Sequence, residues 1–465
     1  MELGTEVVWA LTVFLIVVFT LLIKRKKHTN YPPLYSGWIP WLGCALEFGR
    51  APVLFIEAKR KELGSIFSLY ITGERYTFFT DPEDYGHFFY SSNVSFGQAV
   101  QNSVQRVASI TEESFFKYHT SLHDAVKGRL AASQLASISP SLLHNFKQHL
   151  DHVTTGDCES LHAVIQTVMY KSVMTELFGK GILPTESETE YAEFEKHFIK
   201  FDDQFEYGSR LPPFFLKDWS TSKQWLLKLF TGVVKRLEKC QDNGDKQTLQ
   251  QHLIGLVDRR HAPNYSMLLL WASLANAIPI TFWTLAFMMN NKDVMKKARS
   301  EVDTVLGKST HITEEVLREM PYLKMCILES IRMRSPGVVV RKVVKGFTVK
   351  GYKIPEGDIV MVSPYWTHRN PKYFHDPNTF NPERWNKEDL DKNLFPPGFI
   401  GFGGGRYQCP GRWFALLEMH MFVALFLQRF DCKLLSPVPQ PSTLHVVGTQ
   451  QPMGRCDFQL SNRLV

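Results

Sequence analysis

Apolar positions fall into three patterns along this chain. The first is Val7–Ile23, VVWALTVFLIVVFTLLI, without a charge. As a helix it would span about 25 Å, enough for the thinner kind of cellular bilayer. Lys24-Arg25-Lys26-Lys27 follows directly and Glu2 and Glu6 precede. Basic residues stay on the cytoplasmic side, so the rest of the chain is expected in the cytosol. A cleaved secretory signal would carry its basic residues before the apolar run. Residues 1–30 thus predict a membrane anchor with a basic stop, and 31–465 a single body. Tyr31-Pro32-Pro33 and Gly37–Gly43 join the two as a stiff, extended segment.

The second pattern is short β-branched and aromatic runs. Ile66–Ile71 and Tyr76–Thr80 flank a turn at Gly73-Glu74, and Val338–Val349 and Ile359–Val362 bracket Pro355–Asp358. The third is helical periodicity from about Pro82 to Leu328, with breaks expected at Pro140, Gly179–Pro184, Pro212-Pro213 and Pro263. Strands and long helices do not alternate, which argues against a doubly wound sheet. The expected fold class is mainly α with small β-sheets. Leu268–Met289 is uncharged throughout. It reads as a core helix or a membrane span, and Asn276 and Pro279 at its middle favour a bent helix beside a cavity.

Composition narrows the classes. The 465 residues are 44% hydrophobic, enough for a large core, and the net charge of +7 is dispersed rather than striped. Nucleic-acid binding is therefore not expected. Seven scattered cysteines without a CxxC pair argue against a disulfide framework or structural zinc.

Chemistry concentrates at Phe402-Gly403-Gly404-Gly405-Arg406-Tyr407-Gln408-Cys409-Pro410-Gly411. A glycine-rich loop presents one cysteine just before the apolar helix Trp413–Phe430. A helix N-terminus favours negative charge, biasing the thiol toward thiolate. A held thiolate is a good ligand for haem iron. A phosphate loop would need Lys-Ser/Thr after its last glycine, and Arg412-Trp413 stands there instead. A buried inert cysteine is the other reading. Glu329 and Arg332 are placed to pair at i, i+3 on a helix, and Arg384, within Asn381-Pro382-Glu383-Arg384-Trp385, can join them. His119 and His123 share a helix face but lack a zinc-protease glutamate; they read as helix-surface residues or groups near haem carboxylates.

In this order and spacing these segments resemble the cytochrome P-450 superfamily of haem-thiolate monooxygenases, from the anchor to about residue 454. Phe402, Gly405, Cys409 and Gly411 match its Phe-x-x-Gly-x-x-x-Cys-x-Gly loop; Glu329, Arg332 and Arg384 match its salt-bridged structural triad. The resemblance implies the P-450 fold and one haem-thiolate catalytic domain over 31–465. It also implies haem b, with Cys409 as axial iron ligand and Phe402, Gly405, Arg406 and Gly411 at the cofactor. NADPH would act as electron source through a membrane-bound P-450 reductase and would not bind this chain. The expected location is the endoplasmic reticulum membrane.

Three departures narrow the branch. Tyr407 stands where the family places Arg or His, no Trp-x-x-x-Arg is evident between Ser109 and Arg129, and Ala275–Thr281 lacks the acid of the acid–alcohol pair. Asn276 followed by Pro279 resembles the branch of sterol 7α-hydroxylases, sterol 12α-hydroxylase and prostacyclin synthase. Trp271-Ala272-Ser273, Trp283 and Cys409–Ala415 resemble the oxysterol 7α-hydroxylases of that branch, which implies hydroxylation of an oxysterol, 24-hydroxycholesterol at 7α, in cholesterol catabolism and bile acid synthesis. Asn276 is then the candidate catalytic donor. Trp271, Ala275, Ala277, Val338, Val339 and Val340 are the candidate sterol wall, with Val446–Thr449 beside them. Two alternatives stay open: a haem-thiolate isomerase or lyase of the prostacyclin-synthase type, and a non-catalytic haem or sterol carrier.

Overall fold

In the computed structural model, the described residues are 9, 11–15, 17, 30–158, 160–240, 247–307, 309, 311–385, 398–444 and 446–463. Within Val7–Ile23 the described positions, Trp9, 11–15 and Val17, are helical and exposed. The remainder of the predicted span and Lys24–Lys27 lie outside the described residues.

Two compact units form. The smaller comprises Met1–Ala99 and Val339–Ser363, the larger Val100–Val338 and Pro364–Val465. The smaller unit is built on a six-stranded sheet ordered Leu34–Tyr35, Ile66–Ile71, Glu74–Phe79, Ile359–Val362, Val339–Val343, Val94–Ser95. Its first hairpin pairs Ser68 with Thr77, and Thr77 pairs in parallel with Val360. The hairpin closes through left-handed backbone at Thr72 and Gly73, where glycine removes the steric cost. The expected run Val338–Val349 is two strands, Val339–Val343 and Phe347–Val349.

The larger unit is helical, with one apolar core. Six of its helices bear on the site and are numbered in chain order. They are α1 (Glu112–Arg129), α2 (Glu188–Asp203), α3 (Ala262–Leu274), α4 (Ala277–Asn290), α5 (Pro321–Arg334) and α6 (Arg412–Arg429). Thr111 caps α1 by accepting from Ser114 N, with Glu112 and Glu113 in its first turn, where the helix dipole favours acids. Ser187 caps α2 likewise, accepting from Glu190 N.

Pro140 does not break its helix. It lies inside Leu135–Leu150. So near the helix start its missing N–H costs one bond, to the Ala136 carbonyl, while Ser139 Oγ ties back to Leu135 O at 2.8 Å. Pro263 sits in the first turn of α3, where proline is tolerated.

The apolar stretch from Ala262 to Asn290 is long enough to cross a membrane, yet 67% of its most apolar window is buried inside the protein. It is a core element, and Phe282, Trp283, Leu285 and Ala286 are fully enclosed. The helix is interrupted between α3 and α4, at Ala275 and Asn276. Pro279 has no N–H to offer the Ala275 carbonyl, and the Ile280 N to Asn276 O bond is long, 3.3 Å.

Candidate active site

The cysteine loop is shaped by its own backbone. Gly403 and Gly405 take positive φ values of 71° and 67°. Only glycine adopts these freely, and they let Cys409 N reach back to Phe402 O at 2.9 Å. Gly411 then ends the loop and α6 begins at Arg412. Phe402 packs against the core. Arg406 is exposed.

Two influences act on the Cys409 thiol. Burial pushes its pKa up, which is the larger effect. The backbone N–H groups of Gly411 and Arg412 and the Arg412 charge pull it down. The helix-end bias expected from sequence is present, therefore, but burial outweighs it in the free thiol. Metal coordination deprotonates a thiol outright. A half-buried sulfur with two amide N–H groups directed at it, and the Arg412 guanidinium close by on the Cys409 carbonyl at 3.2 Å, suits a ligand that becomes anionic on binding iron.

Beneath the loop lies a buried ion-pair network. Glu329 and Arg332, one turn apart on α5, are 0% and 1% exposed. Arg332 Nε donates to Glu329 Oε2 and Nη2 to Oε1, both at 2.8 Å. Arg384 Nε donates to Glu329 Oε1 at 2.9 Å, Asn381 N to the same oxygen at 3.0 Å, and Trp385 Nε1 to Oε2 at 3.0 Å. The remaining guanidinium donors go to carbonyls: Arg332 Nη1 to His368 O and Pro377 O, Arg384 Nη1 to His375 O. A buried pair is tolerated only with its lone pairs and protons satisfied, as here.

His368 carries this network to the cysteine loop. Sequence reasoning did not single it out. Ile400 N donates to its Nε2 at 3.1 Å, which leaves Nδ1 as the N–H donor to Arg332 O at 3.0 Å. Burial holds its pKa well below the ordinary value, so the ring is neutral. Its face stacks on Phe399, 5.0 Å between centroids.

His119 and His123, on α1, meet the same loop. The His119 ring stacks on Phe115 and lies 6.3 Å from Tyr407; His123 Nε2 is 3.3 Å from Gln408 O. Burial and nearby Arg406 keep His119 from protonating at its ordinary pKa. Among the described residues no cluster of three or more His, Cys, Asp or Glu side chains could hold a metal ion.

Around the α3–α4 break the geometry is different. Asn276 is exposed between buried Ala275 and Ala277, and so is Ala272 one turn earlier, which leaves room on that face for a bound molecule. Asn276 Oδ1 accepts from Thr449 N at 2.9 Å. The amide oxygen is thus engaged, and Nδ2 is the group with donors to offer. Thr281 is fully buried and donates its hydroxyl to Ala277 O at 2.9 Å. Trp271 is not a plain apolar wall. Its Nε1 donates to Asp202 Oδ1 at 2.7 Å and its ring stacks on Phe205 at 3.6 Å. Val338 N donates to Val446 O at 2.5 Å. Val339 and Val340 lie on a strand of the smaller unit.

Two carboxylates near this break were missed as well. Burial pushes both Asp202 and Glu206 up to about 7. Glu206 Oε1 accepts from Val446 N at 2.8 Å and Val447 N at 2.7 Å. Their signal in sequence, acids among Phe201 and Phe205, is too common to single them out.

Comparison with known proteins agrees with this geometry. The family profile described as Cytochrome P450 matches residues 32–456. The human 24-hydroxycholesterol 7-alpha-hydroxylase is 40% identical over 452 residues, covering 95% of this chain and 96% of that protein. Mouse Cytochrome P450 7B1 is 26% identical, covering 97% and 94%. Among solved structures, "Retinoic acid bound cyanobacterial CYP120A1" superposes with a TM-score of 0.75 at 19% identity, over 93% of this chain and 99% of that one, which shows the fold. A helical body with small sheets, a glycine-shaped cysteine loop and a buried Glu–Arg network therefore place this chain in the cytochrome P450 family, as a haem-thiolate monooxygenase.

Proposed function

We propose that this protein hydroxylates an oxysterol, 24-hydroxycholesterol at the 7α position, in cholesterol catabolism and bile acid synthesis. The observation that carries the reading is the 40% identity to the human 24-hydroxycholesterol 7-alpha-hydroxylase across nearly the whole of both chains. In this reading Cys409 would hold the iron of haem b through its thiolate, with Phe402, Gly405, Arg406 and Gly411 around the cofactor. When bound, that haem supplies oxygen activation, because thiolate donation favours O–O cleavage.

The chain's own groups do the rest. Arg412 and the N–H groups of Gly411 and Arg412 stabilise negative charge on the Cys409 sulfur. Asn276, its oxygen engaged by Thr449 N, keeps its Nδ2 protons to offer at the α3–α4 break, where they would serve the reacting centre. It stands in for an acid–alcohol pair, since the Thr281 hydroxyl is committed to its own helix. A sterol packs on the exposed face at Ala272 and Asn276, with Ala275, Ala277 and Val338 beside it. Such a site is mostly apolar, with a few polar groups that fix the hydroxyls. Val7–Ile23 anchors the protein in the endoplasmic reticulum membrane, where a lipid-soluble substrate concentrates. Electrons come from NADPH through P-450 reductase.

The test is incubation of the full chain with P-450 reductase, NADPH and a panel of oxysterols, followed by mass analysis. The expected result is NADPH-dependent gain of one oxygen by 24-hydroxycholesterol. Product formed equally without NADPH would assign an isomerase or lyase instead, and no turnover of any sterol a carrier. In the reduced, carbon-monoxide-bound protein, a Soret band at the histidine-ligated position sinks the thiolate assignment.

A further inference from the structure

Residues 446–450 form an irregular segment, yet four of its five backbone N–H groups and two of its carbonyls are held from other elements. Glu206 Oε1 takes the N–H groups of Val446 and Val447. Val446 O accepts from Val338 N, and a Cβ on Gly337 would stand 2.7 Å from Val447 O, so that the two backbones are in close approach. Thr449 N donates to Asn276 Oδ1. Gln450 N donates to Arg334 O at 2.9 Å, and Gln450 O accepts from Trp283 Nε1 at 2.7 Å. The segment has no regular ladder, so these outside partners set its position.

Glu206 is the one side-chain acceptor that takes two of these amides. Two residues farther on, the same stretch of backbone fixes the Asn276 side chain. A charged acceptor bonded to N–H groups makes stronger bonds than a neutral one. Phe205, next to Glu206, is stacked on Trp271, whose indole is bonded to Asp202. That holds the Glu206 backbone from the other side.

We infer that Glu206 is a positioning residue for the reaction: by holding the 446–449 backbone it sets the direction in which Asn276 presents its amide protons. This rests on the Asn276 donor reading above. Without the carboxylate the Val446 and Val447 amides swing toward water and Thr449 N shifts. Asn276 then rotates, and oxygen chemistry is diverted from product to peroxide. Gly448 lies on the same path. A Cβ there would meet Asn276 Oδ1 at 2.9 Å, so Gly448→Ala disturbs the amide from its other side.

The infrared C–O stretch of carbon monoxide on the reduced haem reads this directly, because a nearby donor polarises the ligand and no substrate or turnover is needed. Asn276→Ala sets the direction of the shift. Glu206→Ala and Gly448→Ala are expected to shift the band the same way, the double variant E206A/N276A to add nothing to N276A, and Glu206→Gln to restore most of the wild-type position. Peroxide released per NADPH should rise about threefold to tenfold in E206A, the worth of one hydrogen bond. A wild-type band in E206A, or E206A and N276A shifts that add, overturns the inference. If E206A fails to take up haem, E206Q decides: a band displaced as far as that of N276A overturns it. An unshifted band in N276A itself instead removes the donor reading on which the inference stands.

Discussion

Glu329 and Glu206 are both acids in the larger unit, and both hold a segment important to the site, but by opposite means. Glu329 is enclosed by two guanidinium groups, an indole N–H and a backbone N–H, with full charge compensation inside the core. Glu206 accepts from two backbone amides; Arg210 lowers its pKa only as the smallest influence, and burial drives it to about 7. The first acid is fixed by partners whose identity is written in side chains. The second is fixed by backbone groups that any residue would supply. Charge pairing therefore builds the rigid floor under the cysteine, while amide capture builds a roof whose strength depends on protonation.

Cys409→Ala gives the largest effect at the floor. It should abolish the thiolate-type carbon monoxide band and all turnover, measured on protein of unchanged circular dichroism. Glu329→Ala follows. It leaves Arg332 and Arg384 buried without their carboxylate, which costs about 3–5 kcal/mol. Loss of haem-loaded protein on denaturant titration checks it, and a loss under 1 kcal/mol would erase the contrast with Glu206.

At the roof, Trp271→Phe keeps the stack on Phe205 but removes the N–H to Asp202. The orphaned carboxyl should cost about 1–3 kcal/mol, seen as faster hydrogen exchange in α2 and a raised KM for sterol. Smallest is a pH effect. Asp202 rises from the ordinary 3.8 to about 7, so between those values the folded state holds a proton that the unfolded chain gives up. Its contribution to stability is full below about pH 4, falls as pH rises to about 7 and is level above. The stability difference between wild type and Asp202→Asn should follow that slope; a difference independent of pH would show that Asp202 is ionised throughout.

Legibility in the sequence tracks the same divide. The cysteine loop, Glu329, Arg332 and Arg384 could be read because helical spacing, glycine and charge type are local or self-announcing. The strands at Ile66–Ile71 and Ile359–Val362 were legible from β-branching. Pro140 was misread, since proline costs little near a helix start when a neighbouring serine ties the turn. Trp271 reads as a candidate for the sterol wall, but its indole bond to Asp202 is not legible, because it depends on how α2 packs against α3. Glu206 and His368 left no trace: their partners are a backbone 240 residues away in one case and a helix carbonyl and a loop amide in the other. Periodicity reports which face is buried, not which amide will meet which acid.

The neutral His368 ring has a practical corollary for protein engineering. It gives a proton to the carbonyl of Arg332 on one edge and takes one from the amide of Ile400 on the other. A second proton would set two donors face to face, and lysine or arginine has no acceptor to offer. The cysteine loop is consequently no portable cassette. Transplanting 402–411 into another scaffold would carry the loop's own turn but not its mooring at Ile400, which is held by a ring lying well outside the transplanted stretch.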